Sequence, residues 1–128
     1  MSNNIKNLGV LKEMLEHLEL EGIEISINDV HNYLRPDYKP LLEIERIICK
    51  NIDTLFRLYK ASQQPEIRSK VRVNILLYEK LLPKNTKISE IVLGAIRAFE
   101  REDYETTTRL LGKSSQLLDI ISDYINTK

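Results

Sequence analysis

The chain has 128 residues, 42% of them hydrophobic, with 19 basic and 19 acidic side chains and no net charge. This is the size of one domain able to build a core without a disulfide or metal staple. Balanced charge argues against a protein whose whole surface binds nucleic acid or membrane, since such surfaces carry a basic excess.

The lone cysteine, Cys49, rules out an internal disulfide framework and fits a reducing compartment. The opening Met1 to Asn7 is polar, so no signal peptide is expected. No apolar run approaches the ~20 residues of a membrane span, so a cytoplasmic, non-membrane protein is the expectation.

From Ile5 to Glu21, Leu8, Leu11, Leu15 and Leu18 recur at helical spacing beside Met14, and Gly22 sits where a C-terminal cap belongs. Ile23 to Ile27 alternates like a strand but has no partner, and reads as an extended linker. Ser26 and Asp29 fit the cap of a short helix reaching Leu34. Pro36 and Pro40 bracket a turn carrying Tyr38, and the clearest helix runs from Pro40 to Ser62. Its stripe is Leu41, Ile44, Ile48, Ile52, Leu55 and Tyr59.

After Gln63-Gln64-Pro65, residues 66–82 are ambiguous. Val71, Val73, Ile75 and Leu77 alternate with Arg72 and Asn74 as in a strand, yet apolar residues cover nearly all sides at helical spacing. A largely buried central helix is the expectation. Pro83 to Thr86 is a turn, and Ile88 to Glu100 buries Ile91, Val92, Ala95 and Phe99. From Asp103 to Asn126, Tyr104, Leu111, Leu118 and Ile125 repeat every seven residues, with Leu110, Leu117 and Tyr124 beside them and Ile121 between. The fold class expected is all-α, a single-domain bundle of five or six helices over residues 1–128.

Chemistry is hard to find. His17 and His31 fall on different helices without a second ligand at zinc spacing. Cys49 lies beside an apolar stripe and reads as core. Glu100, Glu102, Asp103 and Glu105 crowd a helix junction, where negative charge opposes the dipole of the last helix. Phosphate-cradling glycine motifs, a nucleophile elbow and a helical His-Glu-x-x-His are absent from the sequence. No enzyme, metal, cofactor or small-molecule substrate is expected.

Candidate surfaces remain. Arg46, Lys50, Arg57 and Lys60 fall within roughly 80° on the long helix and could track a phosphate backbone or an acidic helix. Arg68, Lys70 and Arg72, just beyond the turn, would extend that stripe. Asp53 lies inside it and Glu43 one turn before Arg46, so local ion pairs would blunt it. The heptad stripe Tyr104, Leu111, Leu118 and Ile125 reads either as core or as a surface for a partner or second subunit. Gly112, Ser114 and Ser115 beside it would permit close approach of another helix. Tyr38, in the turn Arg35 to Pro40, is a candidate contact residue.

Ala98-Phe99-Glu100-Arg101-Glu102-Asp103-Tyr104-Glu105, followed by Leu110-Leu111, resembles the turn of tetratricopeptide-type helical hairpins and of bundle-shaped export chaperones. The likeness spans only residues 95–125, and Thr106, Thr107 and Thr108 replace the small residues such repeats place there. It implies a helix hairpin. Leu11 to Leu34 loosely resembles the opening of a helix-turn-helix domain, with too long a spacer and no polar recognition helix. The function expected is a non-catalytic helical adaptor or small subunit acting through protein contacts or self-association. The alternative is a nucleic-acid-binding accessory protein using the basic stripe.

Overall fold

The computed structural model describes residues 2–19 and 22–126, with side chains from Leu8 onward. Among these there are six α-helices, a short 3-10 turn and no strand. They are α1 (Ser2–Glu19), α2 (Ile27–His31) with the 3-10 turn Asn32–Leu34, α3 (Lys39–Ala61), α4 (Pro65–Leu81), α5 (Lys87–Glu100) and α6 (Tyr104–Asn126). They pack as one bundle.

Local chemistry sets the boundaries. After α1 the chain turns at Gly22, φ 84°, whose N–H reaches the Glu19 carbonyl while that of Ile23 reaches Leu18. These are the two bonds of a Schellman cap. At α2, Ser26 Oγ accepts from the Asp29 N–H at 3.3 Å and the Asp29 carboxylate accepts from the Ser26 N–H at 2.8 Å. The capping box expected from the sequence is therefore formed. Pro40 and Pro65 occupy the first turns of α3 and α4, where a missing N–H is harmless.

The joint between α5 and α6 repeats the Schellman pattern without a glycine. Glu102 donates to Phe99 and Asp103 to Ala98, with Glu102 held at φ 65°. Asp103 then accepts the Thr106 N–H at 3.2 Å, and the bonds from Thr106 hold its carboxyl below the usual range. Helix capping thus accounts for one member of the acidic cluster.

α5 and α6 form an antiparallel hairpin, α3 lies against both, and α4 flanks α3. Ile48, Ile52 and Phe56 of α3 meet Val92, Ile96 and Phe99 of α5 and Leu117, Leu118 and Ile121 of α6 in one buried cluster. Leu11, Leu15 and Leu18 of α1 belong to the same core. At the end where α3, α5 and α6 meet, the rings of Phe56, Tyr59, Phe99 and Tyr104 pack mainly edge to face, 4.8–6.0 Å between centroids.

Three expectations are corrected. The segment Val71 to Tyr78 is helical, but α4 is an outer helix: only Val71 and Ile75 are fully buried, while Val73 and Leu77 face solvent. The buried face of α3 runs through Leu42, Glu45, Ile48, Cys49, Ile52, Phe56 and Tyr59, turned roughly 60° from the stripe expected. Ile44 is exposed as a result. The seven-residue stripe of α6 faces inward: Leu111, Leu118 and Ile125 are buried and Tyr104 is half-buried. The chain's own core covers the area that would have met a partner.

Candidate interaction surfaces flanking α3

α3 is the hub of the fold, packed against α4, α5 and α6, and carries an exposed crest on its outer side. Along its inner side lies Glu45, among the described residues the one charged side chain buried in the core, which its residue type gives no reason to expect there. It is 0% exposed. Tyr33 Oη donates to its Oε1 at 2.8 Å, and Thr86 Oγ1 and Ser89 Oγ donate to its Oε2 at 2.7 and 2.9 Å. The carboxyl thereby ties the 3-10 turn and the start of α5 to α3. Burial pushes it above the ordinary carboxyl range despite those donors, and burial with Glu45's charge raises the Tyr33 phenol. Its sequence signal was its position, three residues before Ile48 and seven before Ile52 on one helix face.

On the side toward α4, the crest borders an apolar groove of about 600 Å³ lined by Asn51, Thr54, Leu55, Asn74, Leu77, Tyr78 and Leu81, with Lys50 at one edge. Asn51 Nδ2 donates to Tyr78 Oη at 3.1 Å across it. Ile47 and Leu58 on α3 are 51% and 48% exposed, and Leu77 and Leu81 on α4 are 49% and 63% exposed. The groove exists because α4 contributes so few residues to the core. Its apolar excess, which suggested burial in the sequence, lies at the surface instead.

On the side toward α6 lies a second, polar cleft of about 530 Å³. Arg46, Lys50, Asp53 and Arg57 form one wall, Thr108, Gly112, Ser115 and Asp119 the other, and Cys49, Leu111 and Leu118 the floor. The helices run antiparallel here, with Arg46 near Asp119 and Tyr59 bonded to Tyr104 at 3.0 Å. Two separate sequence features, the basic stripe and the small-residue step, thus face each other.

The basic stripe is unevenly neutralised. Arg46 pairs with Glu43 at 3.8 Å and Asp119 at 3.5 Å, and Arg57 with Asp53 at 3.0 Å. Lys60 Nζ sits 4.5 Å from the Phe56 ring centroid, beyond the cleft. Among the described residues Lys50 has no ion pair, and neither carboxylate of the cleft reaches it. Arg68 and Arg72, considered as extensions, lie over the Tyr59 and Phe99 rings at 4.2 and 5.7 Å; Lys70 pairs with Glu66 at 3.7 Å.

Of the remaining candidates, Tyr38, Cys49 and His31 have structural partners. Tyr38 is half-buried, edge-on to Tyr33 at 6.2 Å, with the Arg35 guanidinium 5.1 Å from its ring. The Cys49 thiol is buried 4.0 Å from the Leu111 carbonyl, and burial first, then Asp53, pushes it up to about 11. His31 meets Tyr124 Oη at 3.1 Å, and His17 is exposed. Among the described residues no three His, Cys, Asp or Glu side chains gather as a metal site would require. No helix there is long and apolar enough to cross a membrane.

Compared with family models, curated proteins and solved structures, the chain gives no match. The helix hairpin implied by the tetratricopeptide-like turn is present as α5–α6, but no family stands behind it.

Proposed function

We propose that this chain is a non-catalytic helical adaptor or small subunit, and that the groove between α3 and α4 is its protein-binding face. The observation that supports this reading is that Leu77 and Leu81 line the groove about half exposed, with Ile47 and Leu58 of α3 exposed to a similar degree one helical turn either side of Asn51 and Thr54 on the same face. Covering four half-exposed side chains of this kind contributes roughly 1 kcal/mol each, enough to anchor a partner helix once entropy is offset elsewhere. The groove runs between two helices, the geometry in which an amphipathic helix lays its apolar face.

The test is a variant that changes the face and spares the fold. Leu77→Glu combined with Leu81→Glu alters exposed positions, so unfolding free energy should stay within about 0.5 kcal/mol per site. Native extract passed over wild type and this variant should yield a stoichiometric partner with wild type alone. The same recovery with both proteins, or with neither, defeats the reading.

A further inference from the structure

We infer, resting on the reading of the α3–α4 face as protein-binding, that its occupant is a second copy of this chain, paired about a two-fold axis. Among the described residues, seven of the eight exposed large apolar side chains lie on these two helices, the eighth being Val10 on α1. Ile44 and Ile47 stand two turns and one turn before Asn51 on α3, and Leu58 one turn after Thr54. On α4, Ile67 precedes Asn74 by two turns and Val73 precedes Leu77 by one, while Leu77 and Leu81 line the groove itself.

Area sets the width of the partner. The seven side chains are 36–63% exposed, which on roughly 180 Å² for a free aliphatic side chain leaves about 600 Å² of apolar surface in water. A standard interface takes about 800 Å² from each partner, and the half-buried Leu55 and Tyr78 that line the groove add to what a cover would bury. A single helix in the groove would leave Ile44, Ile67 and Val73, which lie outside its lining, in water. A second two-helix face covers both rows. The rows also match in length: Ile44 to Leu58 and Ile67 to Leu81 each rise over fourteen residues, about 21 Å. α3 and α4 are joined by residues 62–64 alone and run antiparallel, so a half-turn lays row on row without overhang, as in a four-helix bundle.

Charge fits a copy in particular. A two-fold interface sets each patch against itself, so a charged face repels its own copy. Although 30% of the chain is charged, the α3 row Ile44, Ile47, Asn51, Leu55 and Leu58 holds no charge. The α4 row holds only Lys70, paired with Glu66 at 3.7 Å, and Lys50 stands at the edge of the groove, where a rim charge stays solvated. The polar side chains of the face are already served within the chain. Asn51 donates to Tyr78 Oη at 3.1 Å, Thr54 to the Lys50 carbonyl at 3.0 Å and Asn74 to the Lys70 carbonyl at 2.9 Å. An apolar cover can therefore bury them without orphaning these donors.

The test is the oligomeric state of the full chain, measured by sedimentation equilibrium from low micromolar to near-millimolar concentration. Wild type should reach twice the mass of the chain, with a dissociation constant in the micromolar range or tighter. Leu77→Glu combined with Leu81→Glu should weaken pairing by at least about a hundredfold while keeping the circular dichroism of wild type. Val10→Glu, which changes the one exposed apolar residue outside the face, should pair like wild type. In ¹⁵N spectra the amides of Ile47 and Leu77 should shift as the concentration of chain rises, and that of Val10 should not. A wild type that stays monomeric throughout, a dimer that survives the double substitution in a folded chain, or one that only Val10→Glu disrupts would each overturn the inference. A monomeric chain that still recovers a different stoichiometric protein from native extract, through Leu77 and Leu81, overturns the second copy alone and keeps the protein-binding face.

Discussion

Replacing Glu45 should be the most damaging single change at a polar position in this bundle. The side chain is wholly buried, and three hydroxyls from two other parts of the chain end on it. Glu45→Ala leaves a cavity and strips the acceptor from Tyr33, Thr86 and Ser89, which are themselves buried. An orphaned buried donor costs about 1–3 kcal/mol, but freed hydroxyls can re-aim, so the three do not add fully. The expected loss is about 3–5 kcal/mol, a large share of the 5–15 kcal/mol that holds a typical domain. Glu45→Gln keeps one acceptor oxygen and the volume, and should cost about 1 kcal/mol near pH 4. Because the folded carboxyl is raised, the protonated form favours the native state. That contribution is full below the ordinary carboxyl range and is lost as pH rises through the folded value. Wild type should therefore lead Glu45→Gln by most in acid, with the gap narrowing as pH rises. Urea denaturation followed by circular dichroism across that range reads both effects. An alanine loss below about 1 kcal/mol, or a gap that widens with pH, refutes the assignment of Glu45 as a buried anchor disfavoured by charge.

Other changes test the local arguments. Glu102→Gly relieves a left-handed non-glycine residue at a helix cap and should stabilise by about 1 kcal/mol, read from the urea midpoint; no gain would mean the cap is unstrained. Gly112→Ala should also gain about 1 kcal/mol, since its Cβ meets nothing, and a loss would place an unseen neighbour there. Cys49, buried and with its thiol pushed up to about 11, should resist Ellman's reagent until urea unfolds the chain; rapid labelling of the native protein contradicts its burial.

Much of the fold was legible because caps and periodicity agree locally. Gly22, the Ser26–Asp29 pair and Pro40 each ended or began a helix as their chemistry requires, and Leu11, Leu15 and Leu18 face the core as their spacing indicates. Burial was less legible, because it depends on neighbours that sequence does not name. Val73 and Leu77 look like core by composition, yet only Val71 and Ile75 of α4 turn fully inward against its neighbours. Glu45 looks like surface by type, and only hydroxyls 12, 41 and 44 residues away make it core. The rotation of α3 follows from both facts. With Glu45 inside, Ile44 is turned outward and lies exposed.

The claim on which this account turns is that Leu77 lies at a protein-binding face. A photo-crosslinking residue placed at Leu77, with a control at exposed Arg101, measures this directly in native extract. One discrete adduct from position 77, absent at 101 and abolished by Ile47→Glu, is the predicted result. Identical adducts from both positions, or none from position 77 in a folded protein, would contradict it.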